Sequence, residues 1–166
     1  GVSALAAAIS PSATATVSTV ADAGLVLAVS PWGAVFRAGD GSDLGRALGV
    51  LGDRLGVTHA RVDLTLHLPG GGGLGSSAAM GVACARGLAA HAGVALTEQA
   101  LLDAALAWQR VFHGNPSGVD HTLAALGGVG MFTRGEGLTR IQPRVPFSLV
   151  IADSGERAAT KDMVAS

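Results

Sequence analysis

Lysine is almost missing from this chain. Lys161 is the single lysine in 166 residues, and 11 basic side chains stand against 12 acidic ones, for a formal net charge of −1. With no basic run there is nothing to track a nucleic-acid backbone or an anionic membrane surface, so both partners are disfavoured. Cysteine is as scarce. Cys84 stands alone within an apolar helical pattern, so it cannot form an internal disulfide and reads as a small buried hydrophobe; a reducing, cytoplasmic location is expected. Long apolar runs are lacking too, since no stretch reaches the roughly 18 to 20 uninterrupted residues a membrane helix needs. The short N-terminal run Ala4 to Ile9 has no basic residues before it, unlike a secretory signal. The five histidines, His59, His67, His91, His113 and His121, have no close ligand spacing, which argues against zinc. The first residue is not Met, and the chain reads as beginning inside a longer protein.

What the chain has is glycine, 25 residues of it, and 49% hydrophobic side chains. At this length that composition predicts one globular domain with a real core. Thr16 to Val29 and Gly33 to Arg37 read as short strands, and Leu44 to Leu55 as a helix stopped by Gly56. From Arg61 to Leu68, Val62, Leu64, Leu66 and Leu68 alternate with polar neighbours, the period of a half-buried strand. Met80, Cys84 and Leu88 then recur at helical spacing up to Gly93. Thr97 is an N-cap for a helix with Leu101, Ala105, Trp108 and Phe112 on one face and Gly114 as terminator. Asn115 to Gly118 predicts a turn, Leu123 to Phe132 a glycine-containing strand, Phe147 to Ala152 a buried strand and Ala158 to Ala165 a helix.

Between the alternating strand and the next helix lies Pro69-Gly-Gly-Gly-Gly-Leu-Gly-Ser-Ser-Ala-Ala79. Glycines let backbone N–H groups approach an anion, and a helix N-terminus favours negative charge, so the guest this element suits is a phosphate chain. Gly70-x-Gly72-x-x-Gly75 satisfies the dinucleotide fingerprint formally, but no acidic residue ends a clear second strand about 20 residues on. The P-loop pattern fails because Ser76-Ser77, with no lysine, follows Gly75. A flexible turn before an ordinary helix is the plain alternative.

The Pro69 to Ala78 pattern resembles motif two of the GHMP small-molecule kinases. Within that family His113-Gly-Asn-Pro-Ser-Gly-Val-Asp120 is similar to the mevalonate kinase segment that carries the catalytic base. Gly1 to Ala6 resembles the stretch after motif one, and Asp153-Ser-Gly155 through Thr160-Lys161 a strand-to-helix region with a substrate-side threonine. The resemblance implies an α+β fold, the GHMP kinase N-terminal domain related to the second domain of ribosomal protein S5. It implies that residues 1–166 are that ATP-binding domain without motif one or the C-terminal domain. The implied reaction moves the γ-phosphoryl group of ATP to the primary hydroxyl of mevalonate, in the isoprenoid precursor pathway. Alternatives are a phosphomevalonate or homoserine kinase, and a degenerate domain that binds nucleotide without catalysis.

The site residues follow from the same resemblance. Gly71, Gly72, Gly73, Leu74, Gly75, Ser76, Ser77 and Ala78 would hold the nucleotide phosphates, Asp120 would be the base, and Thr160 would meet the substrate. The bland reading of Asp120 is a turn carboxylate capping nearby N–H groups. Ser77 would contact Mg²⁺, with ATP and Mg²⁺ as cofactors. The second metal position of the family is normally glutamate, eleven residues before the aspartate, and this chain has Gln109 there. An amide oxygen can meet Mg²⁺ but adds no charge, and a plain place on a polar strip is the alternative. A C-terminal domain or a partner subunit, as in a homodimer, would cover apolar area that so few charged residues leave exposed.

Overall fold

Alternation places β5 (His59–Leu66) inside the larger sheet. Ala60, Val62, Leu64 and Leu66 are buried and the residues between them are not, as a strand with one covered face requires. The computed structural model describes residues 3–10, 13–22, 24–30, 32–68, 72–145 and 148–152. On one side β5 pairs antiparallel with β2 (Ala13–Ser18), and on the other parallel with β3 (Gly24–Ser30). The edge beyond β3 is β4 (Ala34–Arg37), giving the order β2-β5-β3-β4.

Parallel neighbours need a crossover, and α1 (Asp43–Leu55) provides it. The Ser42 side chain accepts the Gly45 N–H at 3.0 Å, Leu44, Leu48, Leu51 and Leu55 form the buried stripe, and Gly56 ends the helix at φ 68°. Two longer helices complete the covered face. After the glycine loop comes α2 (Ser76–His91), and α3 (Glu98–His113) begins where Thr97 Oγ1 accepts the Ala100 N–H at 3.1 Å. Trp108 of α3 is fully buried and lies against Gly81 of α2, where an added Cβ would stand 2.5 Å from the indole Cδ1. The glycine is what lets the two helices approach with an indole between them.

A smaller antiparallel sheet, ordered β1-β6-β7, joins β1 (Ser3–Ala7), β6 (Val129–Thr133) and β7 (Gly137–Ile141). It is linked to the helical layer by α4 (Val119–Leu126), which packs against α2 and α3 on one side and touches β1 and β7 on the other. The result is an α+β arrangement, as expected. Among the described residues no helix is long and apolar enough to cross a membrane.

Two local expectations change and one strand is new. The strand expected over Leu123 to Phe132 is the end of α4 followed by β6, because His121, Thr122, Leu123 and Ala125 bury a helical face and the pair Gly127-Gly128, both at positive φ, breaks the chain direction. β7 was not foreseen; its burial does not alternate. The strand expected over Phe147 to Ala152 does not form over 148–152, where Val150 is 95% exposed. An apolar run needs a partner strand to satisfy its backbone groups, and 148–152 is not part of either sheet. The helix expected over Ala158 to Ala165 lies outside the described residues.

Candidate active site

The glycine loop enters α2 through Gly75, at φ 70° and ψ 25°, a left-handed conformation that residues with a side chain seldom adopt. No side chain caps this helix. Its first intrahelical bond runs from Ala79 N–H to the Gly75 carbonyl at 3.0 Å, so the N–H groups of Ser76, Ser77 and Ala78 precede the ladder. Unpaired N–H groups and the helix dipole together favour an anion at this point.

The start of α4 has the same construction. Its N-cap is Gly118, at φ 103° and again without a side-chain cap, and Asp120 stands in its first turn. The fold brings these two helix starts together: a Cβ added to Gly75 would be 3.8 Å from Asp120 Oδ1 and 3.8 Å from its Cβ. Asp120 is exposed, so its carboxylate is open to a ligand. Between the helices lies a cleft of about 740 Å³, within the range of about 300 to 1,000 Å³ usual for small-molecule sites. Gly73, Leu74 and Gly75 form one end, Ala79, Val82, Ala83 and Arg86 a wall from α2, and Asp120 and Leu123 a wall from α4. Of the residues singled out in the sequence, Gly73, Leu74, Gly75 and Asp120 line this cleft, Gly72, Ser76, Ser77 and Ala78 adjoin them along the loop and the first turn of α2, and Gly71 and Thr160 lie outside the described residues.

Ser77 is gripped from behind by consecutive residues of α3. The Trp108 indole Nε1 donates to the Ser77 carbonyl at 2.8 Å, and Gln109 Nε2 donates to Ser77 Oγ at 3.1 Å, with Oε1 at 3.4 Å. Gln109 is only 2% exposed, which is not a polar strip facing water. Gln109, which the resemblance assigns with Ser77 to the metal position, lies beside the Ser77 hydroxyl. The chemistry of the pair is another matter. Mg²⁺ selects oxygen ligands and is usually held by one or two carboxylates, whereas here both groups are neutral and the amide N–H is nearer to the hydroxyl than the amide oxygen. Among the described residues no three His, Cys, Asp or Glu side chains converge on a metal position. The Ser77–Gln109 pair does not fit a resident Mg²⁺.

The sequence reading missed Arg86. It interrupts the apolar stripe Ala79, Val82, Ala83 on the cleft face of α2, and a lone cation in such a stripe was the available signal. Its Nη2 donates to the Ala125 carbonyl at 2.8 Å, while Arg140 Nη2 donates to the Leu126 carbonyl at 2.9 Å, so both arginines satisfy the end of α4. His121, next to Asp120, is 6% exposed. Burial pushes its pKa down from 6.5, with the Asp120 charge opposing and Arg110 adding to the fall. Cys84 is no nucleophile: burial pushes its thiol up to about 12.

A cleft formed by a glycine loop at an uncapped helix start, with a carboxylate facing it, suits a phosphate-handling enzyme domain. The GHMP kinases N terminal domain matches residues 43–128, just over half the chain, and the chain belongs to the GHMP kinase family. It is 41% identical over 98 residues to the mevalonate kinase of Aeropyrum pernix and 33% identical over 122 residues to that of Arabidopsis thaliana. Those matches cover 58% and 66% of this chain but 30% and 32% of the two relatives, so the chain spans about a third of the length of the curated relatives it matches. Among solved structures, the L. major mevalonate kinase in complex with R-mevalonate superposes with a TM-score of 0.69 at 24% identity, over 85% of this chain and 45% of that one. The homoserine kinase from Cytophaga hutchinsonii gives 0.60 at 20% identity, over 78% and 42%. Both share the fold.

Proposed function

We propose that this chain supplies the nucleotide-binding half of the active site of a mevalonate kinase. The observation that carries the reading is the meeting of Asp120 with Gly75 at the uncapped start of α2. The names of the relatives point the same way. In this reading the N–H groups of Ser76, Ser77 and Ala78 hold the ATP phosphates, with Gly72, Gly73 and Leu74 giving the backbone room to close around them. The substrate hydroxyl lies beside Asp120. As the oxygen attacks the γ-phosphorus, the bond to the bridging oxygen of ADP breaks and the hydroxyl proton passes to the Asp120 carboxylate. Phosphoryl transfer depends mainly on position and on neutralised charge, and any Mg²⁺ is assigned to the phosphates of ATP rather than to a protein carboxylate. A reducing cytoplasm suits the single thiol, and Thr160 keeps its proposed substrate-side role.

The test is ADP release by the longest available version of the protein with mevalonate, phosphomevalonate and homoserine as acceptors. Turnover with mevalonate well above the other two is expected, and a preference for either of the others would move the assignment within the family. A second reading, a domain that binds nucleotide without turning it over, is favoured by the neutral Ser77–Gln109 pair. Saturable ATP binding with no ADP release from any acceptor, measured on the longest available version of the protein, would establish it.

A further inference from the structure

Gln109 is buried at 2% exposure in the second row behind the loop, and its amide meets the hydroxyl of a residue in the first turn of α2. We infer that this turn binds polyphosphate without a protein-held divalent cation, Gln109 acting as a positioning residue that fixes the Ser77 hydroxyl by a neutral hydrogen bond. The inference rests on the nucleotide reading above and goes further, because it states that the protein holds no cation against the phosphates.

Three observations carry it. First is charge. A buried carboxylate at position 109 would repel phosphate oxygens unless a cation lay between them, and an isolated buried charge is strongly disfavoured; the amide imposes neither demand. Second is satisfaction. Among the described residues no buried side-chain nitrogen or oxygen lacks a hydrogen-bond partner, so Gln109 and Ser77 complete one another and leave no orphaned acceptor for a cation. Third is neutrality. A serine hydroxyl has one proton and two lone pairs; the Gln109 amide N–H donates to the hydroxyl at 3.1 Å and the hydroxyl donates to the amide oxygen at 3.4 Å, so both contacts are made between uncharged groups. The Trp108 bond to the Ser77 carbonyl holds the backbone of the same residue, so the orientation is fixed at both ends.

The experiment is a pair of ATP titrations of the full chain by calorimetry, one with Mg²⁺ and one with excess EDTA, repeated with Gln109→Glu and Ser77→Ala. For the unaltered protein the Kd should differ by less than about threefold between the two conditions, while Gln109→Glu should weaken metal-free ATP by about tenfold or more and recover with Mg²⁺. Ser77→Ala should weaken ATP severalfold even in EDTA. A loss of about tenfold or more on chelation in the unaltered protein overturns the inference while leaving the nucleotide reading intact. Absence of ATP binding in both conditions overturns the nucleotide reading itself. Should Gln109→Glu fail to fold, the two titrations of the unaltered protein still decide.

Discussion

The four helices of the described residues begin in two different ways. α1 and α3 start with Ser42 and Thr97, whose hydroxyls take up N–H groups at 3.0 and 3.1 Å. α2 and α4 start with Gly75 and Gly118, left-handed and without a side-chain cap. A capped end has its donors satisfied from within the chain, whereas an uncapped one keeps them for something else. The uncapped starts are the pair that meet at the cleft. In the proposed function, stability and ligand recognition would thus be separated by helix end: the serine and threonine ends hold the fold, and the glycine-started α2 offers its donors to the guest.

The sharpest way to break that division is at Asp120. Asp120→Asn should lower turnover by about a hundredfold or more, the usual worth of a positioned base, while leaving the ATP Kd nearly unchanged. Steady-state kinetics alongside calorimetry check this, and retention of most of the turnover would remove Asp120 from the chemistry. Next in size is Gly75→Ala. A left-handed alanine costs about 1 to 2 kcal/mol, so urea unfolding should show that loss together with weaker ATP binding. Unchanged affinity would mean the loop geometry does not matter to the ligand.

Thr97→Ala should cost about 1 kcal/mol of stability and leave the ATP Kd untouched. If affinity fell as far as in Gly75→Ala, the two kinds of helix start would not differ in role. The smallest effect concerns His121. Its folded pKa lies below the unfolded value of 6.5 because it is buried, so the folded state binds fewer protons and stability rises with pH. That contribution is complete above about 6.5 and is lost as pH falls toward the lower folded value. Replacing His121 with Gln should flatten the acid side of a melting-temperature profile between pH 7 and 5; an unchanged slope would assign it to other groups.

The capped helices were legible in the sequence, since a hydroxyl residue before an apolar stripe and a glycine after it is a local signal, as at Thr97 and Gly114. β5 was legible from strict alternation, and the loop from its glycines. The segment after Asp120 was not. Eight residues of α4 hold barely two turns, too few to separate helical from strand periodicity, and Gly127-Gly128 reads equally well as a break in either. The Ser77–Gln109 contact was reachable only through spacing within a family, because the residues are 32 positions apart. The role of Arg86 depends on the end of α4 lying beside it, which no local pattern encodes.

The Arg86 bond closes a ring. The chain of contacts runs from Gly75 along α2 to Arg86, across to the Ala125 carbonyl, back along α4 to Asp120, and so to Gly75 again. Two rods joined at their far ends behave like a pair of calipers whose gap is set by the hinge rather than by the tips. The separation between the Gly75 turn and the Asp120 carboxylate is therefore governed at a bond eleven residues along from Gly75 and five from Asp120, and a change at Arg86, itself part of the cleft wall, would alter the gauge of the cleft from that end.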